Sequence, residues 1–241
     1  MPDPGNPAKT QPLHPLHALQ DELHSGADAL GVGLDSRQQR QMLDYLELLS
    51  RWNKVTNLTA VRSVNDMVSR HLLDSIAILP VIRDVLASTT SDSKSAKAVK
   101  TQRVLDIGSG AGLPGIPLAT ADADIDVVMI DSAARKTRFV QQAIADLRLD
   151  NASVLHSRVQ DADLPLFPCL VARAFAPPVD ILGASGFLCE PGGVFVLMMG
   201  HTVDKLDNLP EEFSLQAVQR IEIPGHSVTR HVALCQRSSR V

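Results

Sequence analysis

The chain has 241 residues, a length that predicts one large domain or a core with an appended region. Its formal net charge of −4 excludes a protein that coats polyanions over its whole surface, so any nucleic-acid contact must be local. Three widely spaced cysteines, Cys169, Cys189 and Cys235, favour small buried side chains in a reducing compartment over disulfides.

The N-terminus is Pro-rich and carries no pattern of a signal peptide. The segment MPDPGNPAKTQP has neither an apolar core nor a small-residue cleavage site. No apolar stretch reaches the roughly 20 residues that a membrane helix needs. We therefore expect residues 1–14 to be disordered, and the protein to be cytoplasmic and not to enter a membrane.

Residues 15–86 show helical periodicity and predict an N-terminal helical region of three amphipathic helices. Their predicted boundaries are Pro15 and Gly31, then a capping box of Ser36 with Gln39, then Ser63 and Pro80. Residues 87–102, ASTTSDSKSAKAVKTQ, contain few large apolar side chains and predict a flexible connector.

Residues 103–241 predict an α/β core. The apolar runs RVLDIG, DVVMID, ASVLHS, CLVARAF and GGVFVLMM, the first three separated by helical segments, indicate a parallel sheet that is covered on both faces. FSLQAVQRIEI and HVALCQR follow with little room for a crossover helix, so they predict an antiparallel pair at the edge. We expect a mostly parallel, seven-stranded, Rossmann-like sheet.

The run VLDIGSGAGLPGIPL places Gly108, Gly110 and Gly112 between the first strand and a helix. Glycines there let the backbone turn sharply and approach a ligand closely. Asp131 ends the second strand, where a carboxylate would accept hydrogen bonds from ribose hydroxyls. The pattern predicts a nucleoside site.

The glycine spacing alone leaves the nucleoside open. Gly110, Gly112 and Gly115 fit the dinucleotide pattern G-x-G-x-x-G. Asp106 together with the glycines gives the form D-x-G-x-G-x-G, which resembles class I S-adenosylmethionine methyltransferases. The antiparallel edge pair favours the methyltransferase, and an NAD enzyme or a tight turn in a ligand-free fold stays as the alternative.

The wider sequence resembles one family over residues 40–235. The pieces RWNKVTNLTAVRSVNDMVSRHLLDSIAILP, VLDIGSGAGLPGIPLA, IDSAARKTRFVQQ, HSRVQD and VARAFAPP follow the order and spacing of the RsmG (GidB) family of bacterial ribosomal RNA methyltransferases. The resemblance implies methyl transfer from S-adenosylmethionine to N7 of a guanine in 16S rRNA. It also implies a class I fold with an N-terminal helical region.

The same resemblance implies that Gly108 and Leu113 line the cofactor, that Val159 and Gln160 lie beside adenine, and that Arg173 lies near the methionine end. The chain departs from the family at two positions. Gln160 stands where relatives commonly have an acid, and Met199 stands where they commonly have a lysine. The missing lysine puts the affinity for RNA in doubt, not the fold.

The residues also agree with N7 chemistry. Guanine N7 has a free lone pair and needs no general base, so we assign no catalytic residue and expect positioning and desolvation to accelerate transfer. Methylation of an exocyclic amine often uses a D/N-P-P-Y/F turn, but residues 176–179 read Ala-Pro-Pro-Val. Methylation at pyrimidine C5 needs a cysteine nucleophile, and Cys169 begins its strand instead of ending it.

Basic side chains at two places are candidates for contact with 16S rRNA or the small ribosomal subunit. Arg70 and His71 lie on the third helix, and Arg135, Lys136 and Arg138 follow Asp131. The alternatives are a buried, hydrogen-bonded His71 and a solvated helix face. His14, His17 and His24 have no accompanying cysteine or carboxylate cluster, so we expect no metal site.

Three hypotheses follow for function. The first is an RNA methyltransferase, which we expect to be a monomer. A small-molecule methyltransferase would turn over without RNA. A nucleoside-binding assembly protein would bind S-adenosylmethionine and transfer nothing.

Overall fold

A single seven-stranded sheet forms the centre of the protein, as seen in a computed structural model that describes residues 19–91, 102–173, 176–200, 206, 208–225 and 229–239. Its strands are β1 (Gln102–Ile107), β2 (Ile125–Asp131), β3 (Ala152–His156), β4 (Phe167–Arg173), β5 (Cys189–Met199), β6 (Phe213–Ile221) and β7 (Arg230–Arg237). The order across the sheet is β3-β2-β1-β4-β5-β7-β6. Strands β1 to β5 are parallel, and β7 is antiparallel to both β5 and β6. The predicted fold class is confirmed.

The burial of the strands follows from their places in the sheet. Strand β4 is central and apolar, and all but its last residue is buried. Strand β6 is an edge strand, and most of its side chains are exposed. Because residues at the carboxyl ends of β1, β2 and β4 meet along one edge of the sheet, this edge is where a ligand site is expected.

Eight α-helices accompany the strands in the described parts of the chain. They are α1 (Gln20–Ala29), α2 (Ser36–Thr56), α3 (Val64–Met67), α4 (Asp74–Ile76), α5 (Leu79–Ser91), α6 (Gly115–Ala121), α7 (Ala134–Leu147) and α8 (Pro178–Ser185). Short 3₁₀ helices cover Val159–Asp161 and Gly186–Leu188. The predicted start of the first helix at Pro15 and the predicted disordered segment 1–14 lie outside the described residues.

The N-cap of helix α2 lies one residue earlier than the sequence predicted. Asp35, not Ser36, is the N-cap, and its side chain accepts a hydrogen bond from the backbone N–H of Gln38 at 2.8 Å. The Gln38 side chain accepts in turn from the Asp35 N–H. Asp35-Gln38 and Ser36-Gln39 both have the capping-box spacing, so the sequence alone does not separate them.

The third predicted helix is interrupted. Ser63 caps α3 as predicted, but Val68–Leu73 form a π-helical segment between α3 and α4. Pro80 lies in the first turn of a new helix, α5, a position that proline favours because no N–H is needed there. Helix α5 extends through Ser91, so residues 87–91 are helical where a connector was predicted, and Gln102 already belongs to β1. Residues 92–101 lie outside the described residues.

One hydrophobic cluster joins the helical region to a face of the sheet. It includes Leu46 of α2, Leu72 of the π-helical segment, Phe139 of α7 and Val171 of β4. A second cluster on the other face contains Leu182 of α8. The helical region therefore shares its core with the sheet. None of the helices in the described ranges is long and apolar enough to cross a bilayer.

Candidate cofactor site

The glycine run forms a loop that crosses from the carboxyl end of β1 to α6. The N–H groups of Gly108 and Ser109 both donate to the carbonyl oxygen of Ile130 on β2, at 2.9 and 3.1 Å. Gly108, Gly110 and Gly112 have φ angles of 66°, 61° and 83°, a region that side chains disfavour. The sequence prediction of a sharp glycine turn at this place agrees with these angles.

The glycines of the loop have different surroundings. A Cβ at Gly110 would be in ordinary contact with the Gly108 carbonyl oxygen, at 3.9 Å, so the position has room for a side chain, although Gly110 is not among the cavity-lining residues. A Cβ at Gly112 would lie 2.6 Å from Ile116, so Gly112 allows the loop to pack on α6 and does not face a ligand cavity. Leu113 is likewise buried in the hydrophobic cluster, with 3% of its surface exposed. The sequence predicted cofactor contacts for Gly112 and Leu113, but one packs on α6, the other lies in the core, and neither is among the cavity-lining residues.

Asp131 lies directly beside the glycine loop. Its Oδ2 accepts a hydrogen bond from the Gly110 N–H at 2.9 Å, and its Oδ1 accepts from the Ala133 N–H at 2.8 Å. The Lys136 ammonium group is 3.7 Å from the same carboxylate. The carboxylate thus fixes both the loop and the turn that begins α7, and it retains lone pairs for a further donor.

A cavity of about 560 Å³ opens beside Asp131. This is within the usual size range for a small-ligand site. Of the predicted cofactor residues, Gly108, Asp131, Val159 and Gln160 line it. Other lining residues, not predicted as cofactor contacts, are Lys136, Arg158, Asp180, Ile181 and Ala184.

Asp180 and Ile181 on α8 carry no sequence signal, because only the fold brings α8 to this edge. Lys136 was predicted with the basic residues, and its place in the first turn of α7 brings it to the cavity.

Asp106 is fully buried at the base of the loop. Its Oδ2 accepts a hydrogen bond from the Gly115 N–H at 2.9 Å. Within the described residues, its Oδ1 and the hydroxyl of Ser109 have no hydrogen-bond partner. Burial raises the pKa of Asp106 to about 7, and the Gly115 hydrogen bond and the charge of Arg173 oppose part of the rise.

We expect this raised pKa to appear in the pH dependence of stability. The folded protein retains the Asp106 proton up to about pH 7, whereas the unfolded chain loses it near pH 3.8. The contribution of protonated Asp106 to the free energy of unfolding is therefore complete below the pKa of the unfolded chain. It is lost as the pH rises through the pKa of the folded protein. The variant Asp106→Asn does not titrate, so its stability relative to the parent should improve between pH 4.5 and pH 8. Urea unfolding at both pH values measures the difference, and an unchanged difference would contradict the prediction.

Arg173 ends β4 and is held by a carboxylate of the helical region. Its Nη1 is 3.4 Å from Oδ2 of Asp74, which is fully buried. Arg230 donates to the same carboxylate through Nε at 2.6 Å and Nη2 at 3.3 Å. Arg173 therefore pairs with Asp74, and it is not among the cavity-lining residues, although the resemblance placed it near the methionine end of the cofactor. Two cations facing one anion leave an excess positive charge at this edge.

His71 is buried, with both ring nitrogens engaged. Its Nδ1 lies 3.0 Å from the Arg70 carbonyl oxygen, and its Nε2 lies 2.9 Å from the Thr59 hydroxyl. Burial lowers the pKa of His71 to about 4, so the ring is neutral. The structure therefore supports the buried alternative for His71 over a contact with RNA.

The remaining basic candidates are exposed. Arg70 projects from the π-helical segment, and its carbonyl oxygen also accepts from Nη1 of Arg173 at 3.4 Å. Arg135 and Arg138 lie on the exposed side of α7 near its start. The opposite side of α7 packs Val140, Ala143 and Leu147 into the core, which agrees with the alternative of a solvated helix face for the basic residues.

A metal site has no support in the described ranges, where no three His, Cys, Asp or Glu side chains are grouped to hold an ion. His24 lies 3.1 Å from Gln39 and 3.5 Å from Asp28. His14 and His17 lie outside the described residues.

Comparisons with known proteins identify the family. Residues 38–233 match the family described as rRNA small subunit methyltransferase G. A protein named "Ribosomal RNA small subunit methyltransferase G" from Pseudomonas aeruginosa (strain LESB58) is 40% identical over 222 residues, which cover 91% of this chain and 96% of the relative. One of the same name from Pseudomonas entomophila (strain L48) is 39% identical over 227 residues, covering 93% and 97%.

A solved structure, the magnesium protoporphyrin IX methyltransferase from Synechocystis PCC 6803, is similar with a TM-score of 0.48 and 13% identity, over 81% of this chain and 98% of that one. The family match spans most of the sheet and much of the helical region. This chain belongs to the rRNA small subunit methyltransferase G family.

Proposed function

We propose that this protein transfers a methyl group from S-adenosylmethionine to N7 of a guanine in 16S rRNA. The observation that carries the proposal is the cavity beside Asp131, at the carboxyl edge of the sheet, in a chain of this family. Ligands of open α/β sheets bind at this edge. The NAD alternative has no comparable support from the family.

The residues at the edge fit S-adenosylmethionine. Asp131 offers acceptors for the ribose hydroxyls, and Val159 with Gln160 offers an apolar surface and backbone groups for adenine. The open space at Gly110 leaves room for close approach to the loop. When bound, S-adenosylmethionine supplies an electrophilic methyl group on a sulfonium centre.

Methyl transfer to guanine N7 requires positioning and no base. The turn at residues 176–179 carries no acid, amide or aromatic side chain. Cys169 is fully buried within β4, and burial raises the pKa of its thiol far above the usual range, so it is no nucleophile. Guanine N7 needs neither group, which agrees with the acceptor that we propose.

Exposed cations around the edge fit an RNA substrate. Arg70, Arg135 and Arg138 are exposed, and the pair Arg173 and Arg230 exceeds the charge of Asp74. Because the A-form major groove is too deep and narrow for side chains to read, the target guanine must lie in a loop or be turned out of a helix. We propose a folded small subunit as the substrate, in the cytoplasm, with the enzyme acting as a monomer.

Labelled methyl transfer tests the function. Small ribosomal subunits from cells that lack this protein are incubated with it and with labelled S-adenosylmethionine, and digestion of the RNA identifies the modified nucleoside. We expect one labelled 7-methylguanosine in 16S rRNA. Turnover without RNA would indicate a small-molecule methyltransferase, and binding without transfer would indicate an assembly protein. Sedimentation of the protein alone tests the monomer.

We expect Asp131→Ala to weaken S-adenosylmethionine binding by roughly 1.5–3 kcal/mol, because the ribose loses a charged acceptor and the Gly110 N–H loses its partner. Calorimetry measures the dissociation constant. Asp126→Ala, at the other end of β2, is the matched control and should bind as the parent does. Parent-like affinity in a folded Asp131→Ala would remove Asp131 from the site.

A further inference from the structure

The helix α2 reaches the cofactor loop through one hydroxyl group. Tyr45 is fully buried, and its hydroxyl donates a hydrogen bond to the carbonyl oxygen of Ala111 at 2.8 Å. Ala111 stands between Gly110 and Gly112, and both of these glycines have positive φ angles. A side chain 66 residues away thus holds the middle of the loop.

The loop is held on its other side by hydrogen bonds to β2, and Tyr45 holds the Ala111 carbonyl group. Ile130 and Asp131 accept from the backbone N–H groups of Gly108, Ser109 and Gly110, on the side of β2. Ala111 is 4% exposed, so without the phenol its carbonyl group would be buried without the partner it has now. A glycine-rich backbone has many accessible conformations, and each hydrogen bond that forms reduces their number.

The ring that carries the donor hydroxyl is also held in place by packing. The ring of Tyr45 packs against Phe139 of α7, with 6.1 Å between ring centroids. Burial raises the pKa of Tyr45 above its usual range. The charge of Arg173 opposes part of this rise, and the charge of Asp106 adds to it. The hydroxyl therefore keeps its proton and donates at any working pH.

We propose that Tyr45 is a positioning residue for S-adenosylmethionine, holding the Ala111 peptide so that the loop is shaped for the cofactor before it binds. The helical region then contributes to the cofactor site, although none of the residues that the structure describes in it lines the cavity. This inference rests on the proposed function only in requiring that the loop binds S-adenosylmethionine. Preorganisation of this kind improves affinity because less ordering is left to occur on binding.

Tyr45→Phe tests the proposal, because it removes the hydroxyl and keeps the ring. We expect the dissociation constant for S-adenosylmethionine to rise about tenfold, with kcat close to that of the parent at saturating cofactor. The control is Gln41→Met, one turn earlier on α2, which removes a hydrogen bond to the Leu147 carbonyl at the far end of α7. It should lower the melting temperature and leave cofactor affinity unchanged.

Hydrogen exchange gives a second, independent measurement. The N–H groups of Gly112 and Leu113 donate to the Ser109 carbonyl, and we expect Tyr45→Phe, but not Gln41→Met, to speed their exchange. Unchanged affinity and exchange in Tyr45→Phe would overturn the proposal, as would equal losses of affinity in both variants. A parent protein that binds S-adenosylmethionine but does not methylate small subunits would overturn the proposed function and leave the Tyr45 result standing.

Discussion

Gly110→Val is expected to lower the affinity for S-adenosylmethionine by roughly 100-fold or more, about 2.7 kcal/mol, while the protein still folds. Gly110 has a φ of 61°, which a β-branched residue adopts only with strain. A Cβ at Gly110 would make only an ordinary contact of 3.9 Å with the Gly108 carbonyl oxygen, so a larger side chain has room to project from the loop toward the space that we propose for the cofactor. Calorimetry with the purified variant measures the loss.

Gly31→Val is the matched control for this loss. Gly31 has a φ of 70° and open surroundings, but it follows α1, remote from the loop. Both valines should lower the free energy of unfolding by a similar amount, since both strain a left-handed position. Only Gly110→Val should lose the cofactor. Cofactor binding by Gly110→Val at parental affinity would mean that the loop is not the site.

Asp74→Ala is expected to lower the free energy of unfolding by about 2–3 kcal/mol. The substitution leaves Arg173 and Arg230 facing each other without the buried carboxylate that separates their charges. Both guanidinium side chains are 27% exposed, so water screens part of the repulsion and the loss falls at or below the lower end for buried pairs. In a chain of this length the melting temperature should fall by roughly 5–10 °C.

Glu222→Ala separates this effect from the loss of any ion pair. Glu222 pairs with Arg220 at 3.2 Å, but the two side chains are 81% and 65% exposed. Exposed pairs contribute little, so the variant should stay within about 1 kcal/mol of the parent. Equal losses in the two variants would show that burial of Asp74 does not matter.

The sheet and the glycine turn could be predicted because their signals are local. Apolar runs of strand length and glycines between a strand and a helix need no tertiary information. The different roles of Gly110 and Gly112 could not be predicted, since they depend on Ile116 packing beneath one and open space beside the other.

Long-range partners were also beyond the sequence. Asp74 meets Arg173 and Arg230 only because α4 packs at the carboxyl edge of the sheet, 99 and 156 residues away along the chain. The interruption of the third helix by a π-helical segment has no recognised sequence signal, and Pro80 is equally compatible with a helix end and a helix start. The resemblance to a family identified the site region, but not which neighbours hold each residue.

The shared core has a consequence for how the chain folds during synthesis. Helices α1 to α5 leave the ribosome before any described strand. Three of them nevertheless pack against elements that are made later, α2 against α6 and α7, α4 against α6, and α5 against β4 and β5. Contacts of such high sequence separation form slowly. Until those later elements are made, the early helices expose hydrophobic surface, and we expect chaperones to bind the nascent chain at this stage. Removing the helices would expose the hydrophobic face of the sheet that they cover. We therefore do not expect the strands to fold alone.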